Sequence, residues 1–138
     1  MIVASAVLCL AANIYNEARS EPVMGQYAVA MVTMNRADHR PERVCQTVFA
    51  PKQFSWTIKG YKKVEGGYKL AAHNVPKDAD AWLRAKTIAK ATLAGRMPDF
   101  THGADHYHTK AVFPKWAYNM RPTKMIGRHV FYGGSSQS

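Results

Sequence analysis

The chain has 138 residues, enough for one domain with a real core and too few for two comfortable ones. An apolar fraction of 47% and an aromatic share of 11% exclude a disordered chain, except in the closing run GGSSQS, residues 133–138, where a flexible tail is expected. The formal charge of +10, from 19 Lys and Arg against 9 Asp and Glu, points to a polyanionic partner or surface, and nucleic acid, anionic lipid and cell-wall polymer all qualify.

The opening run MIVASAVLCLAAN has the apolar look of a secretory leader but lacks a basic first segment and passes straight into a patterned helix, so no signal peptide is read there. Asn13 and Asn16 interrupt it before about 20 apolar residues accumulate, and no stable membrane insertion is expected. From Val3 the apolar residues recur at Val7, Leu10 and Ile14, with Ala6 and Ala11 beside them, the stripe of a core-facing helix. The next members of that series are Glu17 and Glu21. A carboxyl group where the period asks for a leucine is partly desolvated, and partial burial raises its pKa. Cys9 and Cys45 permit at most one disulfide and read as buried free thiols.

Pro22 suits the first turn of a second helix, over 24–36, so the chain must bend sharply between Ser20 and Pro22. After a polar turn, residues 44–50 suit a short helix or strand. Residues 53–68 alternate aromatic with polar and carry Gly60, Gly66 and Gly67, as short strands or an ordered loop would. Asp78 or Asp80 caps a helix over 79–94, with Gly95 in the stop position. Three short aromatic pieces follow, separated by Pro114 and Pro122.

Four groups of residues carry candidate chemistry. Glu17 and Glu21, in IYNEARSEP, are either an exposed pair on a helix end or a tuned proton donor with a neighbour, the kind of group that protonates a glycosidic oxygen. Gln53, Ser55 and Trp56 combine a ring with an amide and a hydroxyl, which suits a sugar face and its polar substituents, or else Trp56 belongs to the core. His102, His106 and His108, with Asp105, can be drawn as a zinc site of a metal-dependent amidase. Strand alternation, however, sends His106 and His108 one way and Tyr107 the other, and no further metal signature completes the set, so no metal or cofactor is expected. The basic and aromatic C-terminal part carries no recognisable nucleic-acid motif, and a solvated surface attracting anionic cell envelope is the simpler account.

The segments YNEARSEP, GQYAVAMVTMNR, VCQTVFAPKQFSWT, HYHTKAVFPKWA and IGRHVFY, in that order, closely resemble the SleB-like cell-wall hydrolases, a group of spore-cortex-lytic enzymes and phage lysis proteins. The resemblance covers about residues 10–132. It implies an α+β, lysozyme-like fold, mainly helical with a small β region, as a single catalytic domain over 1–132. It further implies cleavage of the bond between N-acetylmuramic acid and N-acetylglucosamine, with Glu17 as the catalytic glutamate and Glu21 as its support. Ser20 stands where the family commonly has Gly, a departure that alters the bend while leaving both carboxyl groups in place. By the same resemblance Gln53, Ser55, Trp56, His106, Tyr107 and His108 fall beside the cleft as substrate contacts.

With one catalytic carboxyl, lytic transglycosylation is favoured over lysozyme-type hydrolysis, which needs a second carboxylate at a set separation. A non-catalytic wall-binding module is the alternative from another class. The expected partners are peptidoglycan glycan strands and the anionic envelope, met by a monomer. A wall-side site of action is expected, reached by release from a host cytoplasm if the chain is a phage endolysin.

Overall fold

A computed structural model describes residues 1–51 and 53–133. The first helix begins later than its apolar stripe. Ile2–Val3 form a short strand, β1, and extended Ser5 caps helix α1, Ala6–Ala18, by accepting a hydrogen bond from the Leu8 amide at 3.1 Å. Val3 is fully buried because β1 pairs with a distant strand, so its place in the stripe reflects burial and not helix. Helix α2, Val23–Arg36, follows Pro22 as expected. The short-helix alternative holds for the next element, α3, Val44–Val48, entered through a 3-10 turn at Pro41–Arg43.

Strands β2, Tyr61–Val64, and β3, Gly67–Leu70, form a hairpin, and β1 joins β3 to complete a three-stranded antiparallel sheet ordered β1-β3-β2. Helix α4, Ala79–Leu93, is capped by Asp78, which accepts from the Ala81 amide at 3.1 Å, and ends before Gly95 at φ 70°. The last strands, β4 at Ala104–Thr109, β5 at Arg121–Ile126 and β6 at His129–Gly133, make a second antiparallel sheet ordered β4-β6-β5. Pro122 separates nothing; it lies within β5, an edge strand whose register shifts between Pro122 and Lys124, where a missing N–H is tolerated. The fold is therefore α+β and mainly helical, with its β region divided into two small sheets. Gly133 closes β6, and the rest of the expected tail, 134–138, lies outside the described residues.

Helix α1 runs through the centre, with every residue from Cys9 to Tyr15 buried. Its one fully buried polar side chain, Asn13, is satisfied on both sides: its amide donates to Thr33 Oγ1 at 3.1 Å, and its carbonyl accepts the Trp56 indole N–H at 2.7 Å. The Tyr15 hydroxyl accepts the Lys77 and Asp78 amides, each at 3.1 Å, and fixes the entry to α4. A smaller core of Ala18, Ala28, Val29, Val32, Ala104 and Phe131 seats the second sheet on α1 and α2.

The cysteines are not free thiols. Cys9 in α1 and Cys45 in α3 form a disulfide with their Cα atoms 5.2 Å apart. Packing of α3 on α1 brings them together, a contact that spacing along the chain does not reveal. Replacing both by serine is expected to cost about 2–4 kcal/mol by freeing the unfolded chain. Thermal unfolding checks this: reductant should lower the Tm of the natural chain and leave the double variant unchanged.

Candidate active site

Glu17 lies in the last turn of α1, half-buried where the apolar stripe runs out toward the second sheet. Burial pushes its carboxyl pKa up; the Tyr107 hydroxyl and the Arg36 guanidinium pull it down without cancelling that effect. The Tyr107 oxygen is itself buried and forms no hydrogen bond of ordinary geometry, so it stands near the carboxyl without closing on it. Burial, then the neighbouring Glu17, raises the Tyr107 pKa well above the usual phenol range, and the hydroxyl stays protonated.

Arg36, the last residue of α2, holds this corner together. Its Nε donates to the Asp105 carbonyl at 2.6 Å and its Nη1 to the Gln53 carbonyl at 3.1 Å, and its guanidinium lies 4.8 Å from the centre of the Phe54 ring. The neighbouring Asn35 amide donates to the Ala104 carbonyl at 2.8 Å. One helix end thereby fixes both the loop that carries Gln53 and the strand that carries Tyr107.

Glu21 has a different environment. Helix α1 ends at Ala18, so Glu21 sits beyond it in the bend and the two carboxyl groups are not a helical pair. Its side chain, 3% exposed, accepts from the Arg128 amide at 2.8 Å and from Arg128 Nε at 2.8 Å, with His129 Nδ1 at 3.6 Å. Burial works against the charge, but the Arg128 bonds and the nearby His129 outweigh it and hold the pKa below the usual carboxylate range. Glu21 is not among the groups that shift Glu17. What Glu21 does hold is the β5–β6 turn, through its two bonds to Arg128. Gly127 in that turn, at φ 56°, leaves no room for a side chain, since a Cβ would lie 2.6 Å from Glu21 Oε1.

Two adjoining depressions of about 310 and 280 Å³ meet at Glu17, Thr109 and His129. The first continues along Glu21, Lys110, Ala111 and Arg128. The second is lined by Gln53, Ser55, Tyr107 and His108, so four of the expected contacts are gathered beside Glu17. Trp56 and His106 are not among the lining residues. Trp56 turns its indole into the core, edge-on to Phe49, and His106 bonds Asp105 at 2.8 Å and leans on Trp116. The expected strand alternation holds: His106 and His108 both pack on Trp116, while Tyr107 packs on Phe131. His108 Nδ1 donates to the Thr109 carbonyl at 2.7 Å and leaves Nε2 to meet the Tyr132 hydroxyl at 2.7 Å. Among the described residues no group of three His, Cys, Asp or Glu side chains is placed to hold a metal ion.

Sequence reasoning passed over Arg36 and His129. His129 is buried, with Nδ1 near Glu21 but too far for a hydrogen bond, in edge contact with the Tyr107 ring, and it lines both depressions. Burial leads the effects that lower its pKa and favour the neutral ring. The signal was available: in HVFY, His129 occupies an inward strand position with Phe131, the same anomaly that singles out Glu17.

The cell wall hydrolase family model matches residues 20–132. The chain belongs to this family. The match begins just past Glu17, and relatives and solved structures extend it. A spore cortex-lytic enzyme of Halalkalibacterium halodurans is 28% identical over 125 residues, 88% of this chain and 33% of that protein. One from Bacillus cereus is 27% identical over 127 residues, 88% of this chain and 42% of that protein. The chain thus spans well under half the length of these curated relatives. The catalytic domain of the germination-specific lytic transglycosylase SleB from Bacillus anthracis aligns over 92% of this chain and 93% of its own, with a TM-score of 0.68 and 27% identity. The Bacillus cereus SleB catalytic domain gives 0.65 and 28%, over 92% and 89%. The lysozyme-like α+β fold and the SleB-like membership that the motifs implied are both met.

Tyr107→Phe removes a hydroxyl that favours the Glu17 carboxylate, so the Glu17 pKa should rise further, read by carbon-13 NMR titration of that carboxyl; a fall would mean that the hydroxyl acts by keeping water from the carboxyl. Glu21 has its pKa lowered on folding, so its contribution is present above the unfolded value of about 4.3 and is lost as pH falls through the folded one. Glu21→Gln should therefore lower stability to urea at neutral pH by about 1–3 kcal/mol and flatten its decline on acidification.

Proposed function

We propose that the chain cleaves the glycan of peptidoglycan between N-acetylmuramic acid and N-acetylglucosamine as a lytic transglycosylase, with Glu17 as acid and then base. The observation that carries this reading is the division between the two acids of the cleft. Glu17 has its pKa raised by burial and opens on both depressions, while Glu21 is held as a carboxylate on Arg128. They are the acidic residues lining those depressions, so among the described residues no free carboxylate faces Glu17 across the cleft to serve as nucleophile or base for hydrolysis.

In the first step the Glu17 carboxyl gives its proton to the leaving N-acetylglucosamine oxygen as the bond to muramic C1 breaks. The muramic C6 hydroxyl then adds to C1 and gives its proton to the Glu17 carboxylate. A 1,6-anhydro ring forms without water and Glu17 returns to its starting state. The Glu17 pKa, raised above the free carboxyl value, keeps a larger protonated fraction near neutral pH, and the rate should fall as pH rises through it. A cleft that continues on both sides of Glu17 suits a polymer entered mid-chain. Membership of the cell wall hydrolase family and likeness to SleB catalytic domains support the substrate. The Cys9–Cys45 disulfide supports a working compartment outside a reducing cytoplasm.

Mass spectrometry of muropeptides released from purified peptidoglycan tests the reading. Anhydro-muramic ends are expected, and Glu17→Gln should lower their release by about a hundredfold or more while keeping the fold and the affinity for wall. Reducing muramic ends would establish hydrolysis instead. Unchanged activity in the variant would remove Glu17 from the chemistry.

A further inference from the structure

The cleft does not end beside Glu17. Arg36 and Gln53 also line a third depression, of about 380 Å³, together with Arg43, Gln46, Thr47 and Ala50. Its lining thus holds two arginines, two glutamines and a threonine, and among the described residues no Asp or Glu. Arg36 is held in place by the Asp105 and Gln53 carbonyls. Arg43 is not: it bonds Asp38 at 3.1 Å, but the two side chains are 47% and 71% exposed, and a pair that open to water holds its members weakly. A guanidinium carries five donors in a planar fork, so Arg43 has capacity to meet an anion.

Exposed arginines alone make a solvated surface. These line a concavity continuous with the cleft, and α3, which supplies Gln46 and Thr47, is joined through Cys45 to Cys9 on the helix that carries Glu17. The spacing between the basic pocket and Glu17 is therefore set by a covalent link and a packed core, not by a mobile loop.

We propose that this pocket binds a carboxylate of the peptide stem carried by the muramic acid ring seated next to Glu17, so that the chain selects peptide-bearing glycan over bare glycan. The proposal rests on the glycosidase reading above. The N-acetylated sugars are uncharged, and in the intact polymer the lactyl carboxyl of muramic acid is capped as an amide by its stem. The free carboxylates of the stem are the anionic groups that a side branch of the cleft can meet. A guanidinium fork matches a carboxylate in two parallel hydrogen bonds, and Gln46 and Thr47 supply donors to peptide carbonyls beside it.

Soluble peptidoglycan strands, intact or stripped of their stems by an amidase, separate the possibilities. The natural chain should show a kcat/KM about tenfold higher on intact strands, carried mainly by KM. Arg43→Gln should bring that value down to the stripped-strand level and leave the rate on stripped strands unchanged. Free stem tetrapeptide should compete with intact strands for the natural chain and not for the variant. Gln46→Ala, on an exposed position, provides a second variant if Arg43→Gln lowers the Tm. Equal rates of the natural chain on the two substrates, or an equal loss on both in the variants, would overturn the pocket alone. Cleavage of neither substrate would overturn the glycosidase reading and the pocket with it.

Discussion

The ion pair between the buried Glu21 carboxylate and the exposed Arg128 guanidinium is the constraint on which the site depends. A carboxylate 3% exposed would be strongly destabilising alone, and here both of its oxygens are met by Arg128, through backbone and side chain. The bond ties the bend after α1 to the turn between β5 and β6, and Gly127 lets the two approach closely enough to make it. From that turn β6 carries His129 to the edge of the cleft and Phe131 into the smaller core, where it packs on Tyr107. Tyr107 in turn stands against Glu17. The surroundings of the acid are thus inherited, step by step, from an ion pair one turn of chain away.

The same geometry gives two similar residues opposite behaviour. Glu17 and Glu21 are four positions apart and continue one apolar stripe, yet burial dominates at the first and compensating hydrogen bonds at the second. A group held ionised makes a good anchor because its partners lose free energy if it moves. A group whose burial is left partly uncompensated makes a good proton donor because its charged form is disfavoured.

Much of this was legible along the chain, and the rest failed for identifiable reasons. Helices α2 and α4 announce themselves through a 3.6-residue period with Pro22, Asp78 and Gly95 at their ends, and Glu17 stands out against the same period in α1. The start of α1 was misplaced because Val3 is buried by pairing with Tyr68, far along the chain, and burial from any cause looks the same in a periodic pattern. The disulfide, the inward turn of Trp56 onto Asn13 and the placement of Pro122 inside an edge strand likewise depend on partners distant in sequence. Arg36 gave no sign, since a basic residue in the last turn of a helix is the ordinary complement to the helix dipole.

Arg36 shows how the charge of the chain divides into two kinds. The surplus of +10 lies largely on exposed lysines and arginines, whose field attracts an anionic polymer at long range and weakens with salt. Arg36 and Arg128 instead have named partners at hydrogen-bond distance. Arg36 meets carbonyl oxygens and so retains its charge for Glu17, tempering the rise in that pKa without forming a salt bridge that would abolish it. Had a carboxylate taken the place of the Asp105 and Gln53 carbonyls, the guanidinium would be neutralised locally, and Tyr107 alone would be left to offset the burial of Glu17. Using backbone oxygens as its anchors lets one residue rivet the cleft walls and still temper the acidity that burial sets between them.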